Sequence, residues 1–366
     1  MIRMENNRVD KVLLNDYLKE ISYAVNRSEG LNDISEYRKG FEEEFAKYIG
    51  TKHALAVNSG TDALQLALLS LNIGKGDSVI VPDLTYVSSA LAIKYVGAEP
   101  ILIDVKDTDL TLNEDIVTRH IKKNTKAIMA VHMFGSPCAM DNLKKIAKKF
   151  NLYIIEDACQ AIGSTYASKK VGTFSDIAAF SFSYYKPLSS LGGNGGILAF
   201  ERDEYEKKIY NMLNLWKTNS CLLRLDRKFN KISLPDLSTT RVKFKFLKHI
   251  LASRDKIKKL YESNLRKIRG VSIFKDPTDV VSVKENYPIL FHHRDNLRAF
   301  LLKNSIKTDL PYTPLHHLKI FKDHIRPKDA FPVSESYFKH GIHLPLYSFM
   351  TEKDCNSVIN AIKRFR

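Results

Sequence analysis

Three short segments of this chain combine residue types that catalysis uses, and each follows a run of apolar residues. The first holds Lys186, in Ser181-Phe182-Ser183-Tyr184-Tyr185-Lys186-Pro187, just ahead of the glycine-rich Gly192-Gly193-Asn194-Gly195-Gly196. An ammonium is expensive to desolvate and lysine loses much rotamer freedom on burial. A lysine at the end of a buried strand therefore points to an amine used as nucleophile, in Schiff-base chemistry. A phosphate-contacting or surface lysine would fit the same segment taken alone. The second is Glu156-Asp157-Ala158-Cys159-Gln160-Ala161, where a carboxylate about to be covered needs a cation or an N–H donor to stay ionised. A salt bridge would serve, and so would a protonated ring nitrogen. The third is Asn58-Ser59-Gly60-Thr61-Asp62-Ala63-Leu64, a small-residue turn opening into a helix. Free amides at a helix start and a threonine hydroxyl form an anion site, although the same residues also make an ordinary N-cap.

The elements that must position these groups follow from periodicity. Short apolar runs at 54–57, 79–81, 101–103, 127–131, 153–155 and 177–180 alternate with amphipathic segments such as Met140 to Phe150. That alternation is the pattern of βα units feeding a mostly parallel sheet, and runs without polar alternation belong to strands covered on both faces. In such sheets ligands bind beyond the carboxyl ends of the strands, which is where all three segments fall. The first 50 residues read as helical. Beyond Phe200 the spacing predicts helices over Tyr205 to Trp216 and Arg254 to Ile268, a strand at Leu344-Pro345-Leu346, and a closing helix over Glu352 to Phe365. The expected organisation is a large α/β domain over residues 1–240, including the N-terminal helical segment, and a smaller α+β domain over 241–366.

Composition removes several classes. With 366 residues, 44% of them hydrophobic, and only 16 Gly and 12 Pro, the chain is neither collagenous nor disordered. It has no run of about 18 apolar residues, and its opening Met-Ile-Arg-Met-Glu-Asn-Asn-Arg lacks a secretory pattern, so a cytoplasmic protein is expected. Cys138, Cys159, Cys221 and Cys355 are too far apart for a Cys-x-x-Cys site and read as free thiols, and no metal site is expected. The net charge of +16 points first to nucleic acid, and residues 201–270 carry 19 Lys and Arg against 8 Asp and Glu. No helix-turn-helix, zinc finger or interleaved aromatic platform accompanies that stretch, so neither nucleic acid nor membrane is expected as a partner.

A phosphate cradle, a carboxylate for a ring nitrogen and a lysine for an aldehyde are together what pyridoxal 5′-phosphate (PLP) requires. With Val131-His132-Met133-Phe134-Gly135, Phe331-Pro332-Val333-Ser334-Glu335 and Leu344-Pro345-Leu346-Tyr347, these segments make the chain resemble the DegT/DnrJ/EryC1/StrS family of sugar aminotransferases. The resemblance runs from about Asn32 to Ile362 and implies a fold-type I PLP enzyme. It implies that Lys186 forms the Schiff base with the cofactor and moves protons. Asp157 would pair with the pyridinium nitrogen, Gln160 would lie near the phenolic oxygen and Tyr86 would stack on the ring. Gly60, Thr61 and Ser181 would hold the phosphate. Asn230 would reach the cofactor of the partner in a homodimer, although Ile232 replaces the basic residue usual two positions later. His316 matches a substrate-side position.

The implied reaction moves an amino group from an amino acid, L-glutamate in most of the family, to a nucleotide-linked keto-sugar. Lysine at 186, where dehydratase relatives carry histidine, favours transamination. The loop Lys186-Pro187-Leu188-Ser189-Ser190-Leu191-Gly192 resembles that of 3-aminating enzymes more than the shorter loop of 4-aminating ones. A keto-cyclitol acceptor is the alternative.

Overall fold

The computed structural model describes residues 1–4, 8–27, 35–214, 229–325 and 330–365. Thirteen strands are seen among them: β1 His53–Val57, β2 Ser78–Pro82, β3 Glu99–Ile103, β4 Thr125–Val131, β5 Tyr153–Asp157, β6 Thr165–Tyr166, β7 Lys169–Lys170, β8 Ile177–Ser181, β9 Gly196–Phe200, β10 Val271–Ile273, β11 Val280–Val281, β12 Tyr287–Phe291 and β13 Gly341–Leu344. Seven form the central sheet in the order β1-β9-β8-β5-β4-β2-β3. From β8 to β3 the neighbours are parallel, while β9 runs antiparallel to both β1 and β8.

The six apolar runs are the parallel strands and β1, and their side chains alternate between two buried layers. Val79, Val81, Met129, Val131, Ile155 and Ile177 face the helices Gly60–Ser70 and Ser88–Tyr95. Ile80, Ile128, Ala130 and Ile154 face the opposite way, onto Met140–Phe150. Both faces must be apolar, so no polar alternation survives in the sequence. Strand β9 was not among the expected runs. Its Gly-Ile-Leu-Ala-Phe follows directly on the glycine-rich loop, with no amphipathic segment before it.

A second core gathers Ile257, Tyr261, Leu297, Leu301, Val358, Ile359 and Ile362 on the antiparallel sheet β10-β12-β13. The helices over it are Leu247–Leu265, Arg294–Lys303 and Glu352–Arg364. The first starts seven residues earlier than its spacing predicts. The expected helix from Tyr205 occupies Asp203–Leu213, and Trp216 lies outside the described residues. The last strand stops at Leu344, where Pro345 has no N–H to continue the ladder and its carbonyl accepts from Tyr261 Oη at 2.8 Å. Residue 2 joins this second core: Ile2 N donates to Ser305 O at 2.7 Å and Lys307 N donates to Ile2 O at 2.8 Å.

No described helix is long and apolar enough to cross a membrane. Cys138, Cys159 and Cys355 are free thiols, and Cys221 lies outside the described residues. Much of the basic stretch is matched by acids from other segments. Lys243 is buried, with Nζ 2.7 Å from Asp10 Oδ1; Lys245 reaches Glu20 at 2.8 Å and Lys258 reaches Asp276.

Candidate active site

The carboxyl ends of β1, β5 and β8 open into a cavity of about 1130 Å³. Its wall contains Gly60, Thr61, Tyr86, Asp157, Gln160, Ser181 and Lys186, so seven residues spread over 127 positions of sequence meet at one site. Their convergence follows from the parallel order of the sheet, which brings the ends of non-adjacent segments side by side.

Glu156 and Asp157 are adjacent on β5 and point to opposite faces, as strand geometry demands. Asp157 faces the cavity, 5% exposed. Its Oδ2 accepts from Ser89 Oγ at 2.7 Å and its Oδ1 from the Cys159 amide at 3.2 Å, which fixes the plane of the carboxylate. Glu156 is buried on the other side. It accepts from His132 Nε2 at 3.0 Å, the Gly172 amide at 2.7 Å, the Phe174 amide at 3.0 Å and Ser175 Oγ at 2.8 Å. Burial alone would raise its pKa, and these donors outweigh burial and hold it below the usual value.

The cradle begins at Ser59, whose Oγ caps the helix by accepting from the Asp62 amide at 3.0 Å. That leaves the Gly60 and Thr61 amides at the first helical positions, where no intrahelical acceptor exists. A side chain at Gly60 would bring its Cβ within 2.8 Å of Cys159 Sγ and 2.9 Å of Ser181 Cβ, so only glycine lets the three segments close up. Gly196 is constrained by the same approach: its Cβ would lie 2.5 Å from the Ser59 carbonyl carbon and 2.7 Å from the Gly60 amide. Gly196 thus lets the start of β9 pass beside the cradle.

Lys186 projects from the loop after β8, and its Nζ lies 2.9 and 3.0 Å from the two carboxylate oxygens of Glu285. Glu285 is 3% exposed and was missed by the sequence reading, since a lone acid before β12 carries no motif. Arg254, buried in the second core's first helix, donates from Nη2 to the Lys284 carbonyl at 2.9 Å and also to the Glu285 carbonyl. It holds that segment against the cavity, and burial pulls its guanidinium down to about 10. Tyr312 is a second missed residue. It meets Tyr86 edge-on at 5.7 Å and stacks on Phe134 at 6.1 Å, and burial pushes its phenol well above the usual value. His343 lines the floor; burial lowers its imidazole to about 3, so it is neutral there and hydrogen-bonds to Tyr337 Oη at 2.7 Å. Gln160 Oε1 accepts from the Phe134 amide at 2.8 Å, leaving its amide nitrogen as the available donor. The Cys159 thiol is pushed far up by burial, then by the Asp157 charge, and stays neutral.

Two expected residues lie outside this wall. Asn230 is exposed, and its carbonyl accepts from the Asn58 amide at 3.0 Å, beside the cradle. His316 has both ring nitrogens occupied, Nδ1 by Asp83 Oδ2 at 2.7 Å and Nε2 by Glu335 Oε1 at 2.8 Å.

The donor set fits PLP: a cradle with free amides, a buried carboxylate held by two donors, and a lysine amine share one cavity. On this seven-stranded sheet they define a fold-type I PLP-dependent enzyme. The model of the DegT/DnrJ/EryC1/StrS aminotransferase family matches residues 16–363, and the chain belongs to that family. It is accordingly a PLP-dependent aminotransferase. Among similar proteins, the GDP-perosamine synthase of Vibrio cholerae is 32% identical over 90% of each chain. The dTDP-3-amino-3,4,6-trideoxy-alpha-D-glucose transaminase of Streptomyces venezuelae is 31% identical over 89% of this chain and 86% of its own. The crystal structure of S. venezuelae DesV in complex with a ketimine intermediate superposes with a TM-score of 0.92 at 30% identity, covering 99% of this chain and 97% of that one.

Proposed function

We propose that the enzyme transfers an amino group from L-glutamate to the keto carbon of a nucleotide-linked sugar, with C3 the preferred position. The observation that carries this reading is the meeting of Lys186, Asp157 and the Gly60–Thr61 cradle in a cavity of about 1130 Å³. That exceeds the range of about 300–1000 Å³ usual for small-ligand pockets and leaves space for a large second substrate. The relatives named above, one making GDP-perosamine and one a dTDP-3-amino sugar, support the substrate class.

PLP, when bound, supplies an aldehyde for the amine and a ring that accepts electrons. The chain's own residues do the rest. The Gly60 and Thr61 amides and Ser181 Oγ hold the phosphate. Asp157, oriented by Ser89 and the Cys159 amide, keeps a proton on the ring nitrogen. Tyr86 and Tyr312 form the aromatic wall, and Lys186 Nζ takes the proton from the substrate carbon and returns it. Glu285 holds Lys186 in place between these acts. Asn230 completes the neighbouring cradle in a homodimer, a role supported by its exposed side chain and its anchor beside Asn58.

The test is to add L-glutamate to the loaded enzyme and follow its visible absorption and 2-oxoglutarate, then offer 3-keto and 4-keto nucleotide sugars and a keto-cyclitol. Bleaching with stoichiometric 2-oxoglutarate, followed by amination of the 3-keto sugar, is expected, and Lys186→Ala should do neither. Bleaching with amination of the cyclitol alone would overturn the substrate reading. No bleaching with any amino acid would overturn the donor half-reaction.

A further inference from the structure

Away from the cavity, His316 Nε2, His317 Nε2 and a carboxylate oxygen of Glu335 lie within 4.8 Å of one another. We propose that these three side chains form a site for a zinc-type divalent cation, with a solvent molecule as fourth ligand.

The site is preorganised from several directions. His316 and His317 sit in the short 3-10 turn Leu315–His317, and Glu335 lies in the first turn of the helix Pro332–His340. Both imidazole Nε2 atoms converge on Glu335 Oε1, at 2.8 and 2.7 Å. His316 Nδ1 is 2.7 Å from Oδ2 of Asp83, whose other oxygen accepts from the His316 amide at 2.9 Å. Asp83 is completely buried, so this is a fixed outer carboxylate. It fixes the ring plane and keeps a proton on Nδ1, so Nε2, which donates to Glu335 when no metal is bound, is the nitrogen that gives up its proton and takes the cation, with the outer carboxylate that metal-binding histidines use. Phe331 stacks on the His316 ring at 4.5 Å and 12°, and Phe338 meets the His317 ring edge-on at 5.3 Å.

Ligand type and charge agree. Two imidazoles, neutral once the metal has displaced their Nε2 protons, and one carboxylate are the three-ligand set of an open zinc site, and the side chains of His317 and Glu335, 34% and 49% exposed, leave a solvent side for the fourth position. Glu335 and Asp83 together carry two negative charges, which balance a divalent cation. Ligands around a tetrahedral ion at about 2.0–2.2 Å stand roughly 3.4 Å apart, so loading moves the exposed Glu335 slightly outward from both rings and draws the widest-spaced ligand atoms, now within 4.8 Å, closer together. Position suggests a bracing role. The Asp83 carbonyl accepts from the Leu315 amide at 3.0 Å, which ties the Tyr86 loop to the segment carrying Tyr312. A cation at His316 would lock that joint and with it the two aromatic walls of the cavity.

The experiment titrates Zn²⁺ against a chromophoric chelator into PLP-loaded enzyme freed of excess cofactor, at a pH slightly above neutral. One Zn²⁺ per chain in the micromolar range or tighter is expected, weakened at least tenfold in His317→Ala and in Glu335→Gln. Asp83→Asn should weaken it about 10- to 100-fold through the outer shell alone. A Zn²⁺ site unchanged in all three variants would lie elsewhere and overturn the proposal, as would no binding below about 100 μM. Circular dichroism of each variant without metal checks that folding is retained. A misfolded His317→Ala would shift the decision to Glu335→Gln, whose residue is exposed.

Discussion

The pairing of Lys186 with Glu285 has a thermodynamic consequence that can be measured without turnover. Lys186 Nζ is 2.9 and 3.0 Å from the two oxygens, and the side chains are 11% and 2% exposed. At about 3 Å and an effective dielectric of about 20, opposite charges attract by roughly 5 kcal/mol, and desolvation offsets most of it. Removing one partner is different, because the other is left buried and uncompensated at a cost of about 3–5 kcal/mol. Arg254 lends Glu285 some positive potential, so the lower end of that range applies to Lys186→Ala. Glu285→Gln should cost less, about 2 kcal/mol, because an amide oxygen still faces the ammonium. In the double variant neither charge remains, and the loss should fall at least 2 kcal/mol short of the sum of the singles. Urea unfolding of the four cofactor-free proteins gives the cycle. Single losses that add within about 0.5 kcal/mol would refute the claim that Lys186 is held by Glu285.

Gly60→Ala should weaken PLP binding by at least tenfold, measured by fluorescence titration, because the new Cβ must displace Cys159 Sγ or Ser181. Asp157→Asn should abolish turnover while leaving stability near wild type, whereas Glu156→Gln should lower the unfolding free energy by roughly 2–3 kcal/mol through its four buried donors. Equal effects of the two on stability would show that the carboxylates are not divided between chemistry and scaffold. Glu42 is raised by burial from 4.5 to about 7, against the lowering influence of Arg38 and the Ala56 amide. The folded state thus keeps a proton that the unfolded state has released, and stability should fall between about pH 4.5 and pH 7, by up to roughly 3 kcal/mol. Glu42→Gln should flatten that part of the stability profile and raise stability above pH 7, read from urea midpoints across pH.

Much of the fold is legible in the chain itself. The six apolar runs, the helix Met140–Phe150 and the closing helix follow from local periodicity, because each buries a face whose spacing is fixed by the backbone. Strand β9 is not legible in this way: it follows the glycine-rich loop with no amphipathic helical segment between it and β8, so the βα alternation does not point to it, and it pairs antiparallel between β1 and β8. The site divides along the same line. Lys186, Asp157 and the Gly60–Thr61 turn carry signals in their own neighbourhoods. Glu285, Tyr312 and Arg254 carry none, because each acts on a residue far away in sequence. The basic stretch shows the limit most plainly. Counted along the chain it is an excess of charge, but Lys243 and Lys245 are answered by Asp10 and Glu20, more than 200 positions earlier. Sequence determined the cofactor and singled out Lys186, Asp157 and the Gly60–Thr61 turn, which meet in one cavity, since residue type and strand-end position are local properties. Tertiary structure decided which carboxylate faces the cavity, which acid holds the lysine and which cations are spent, since these depend on contacts that only the closed fold creates.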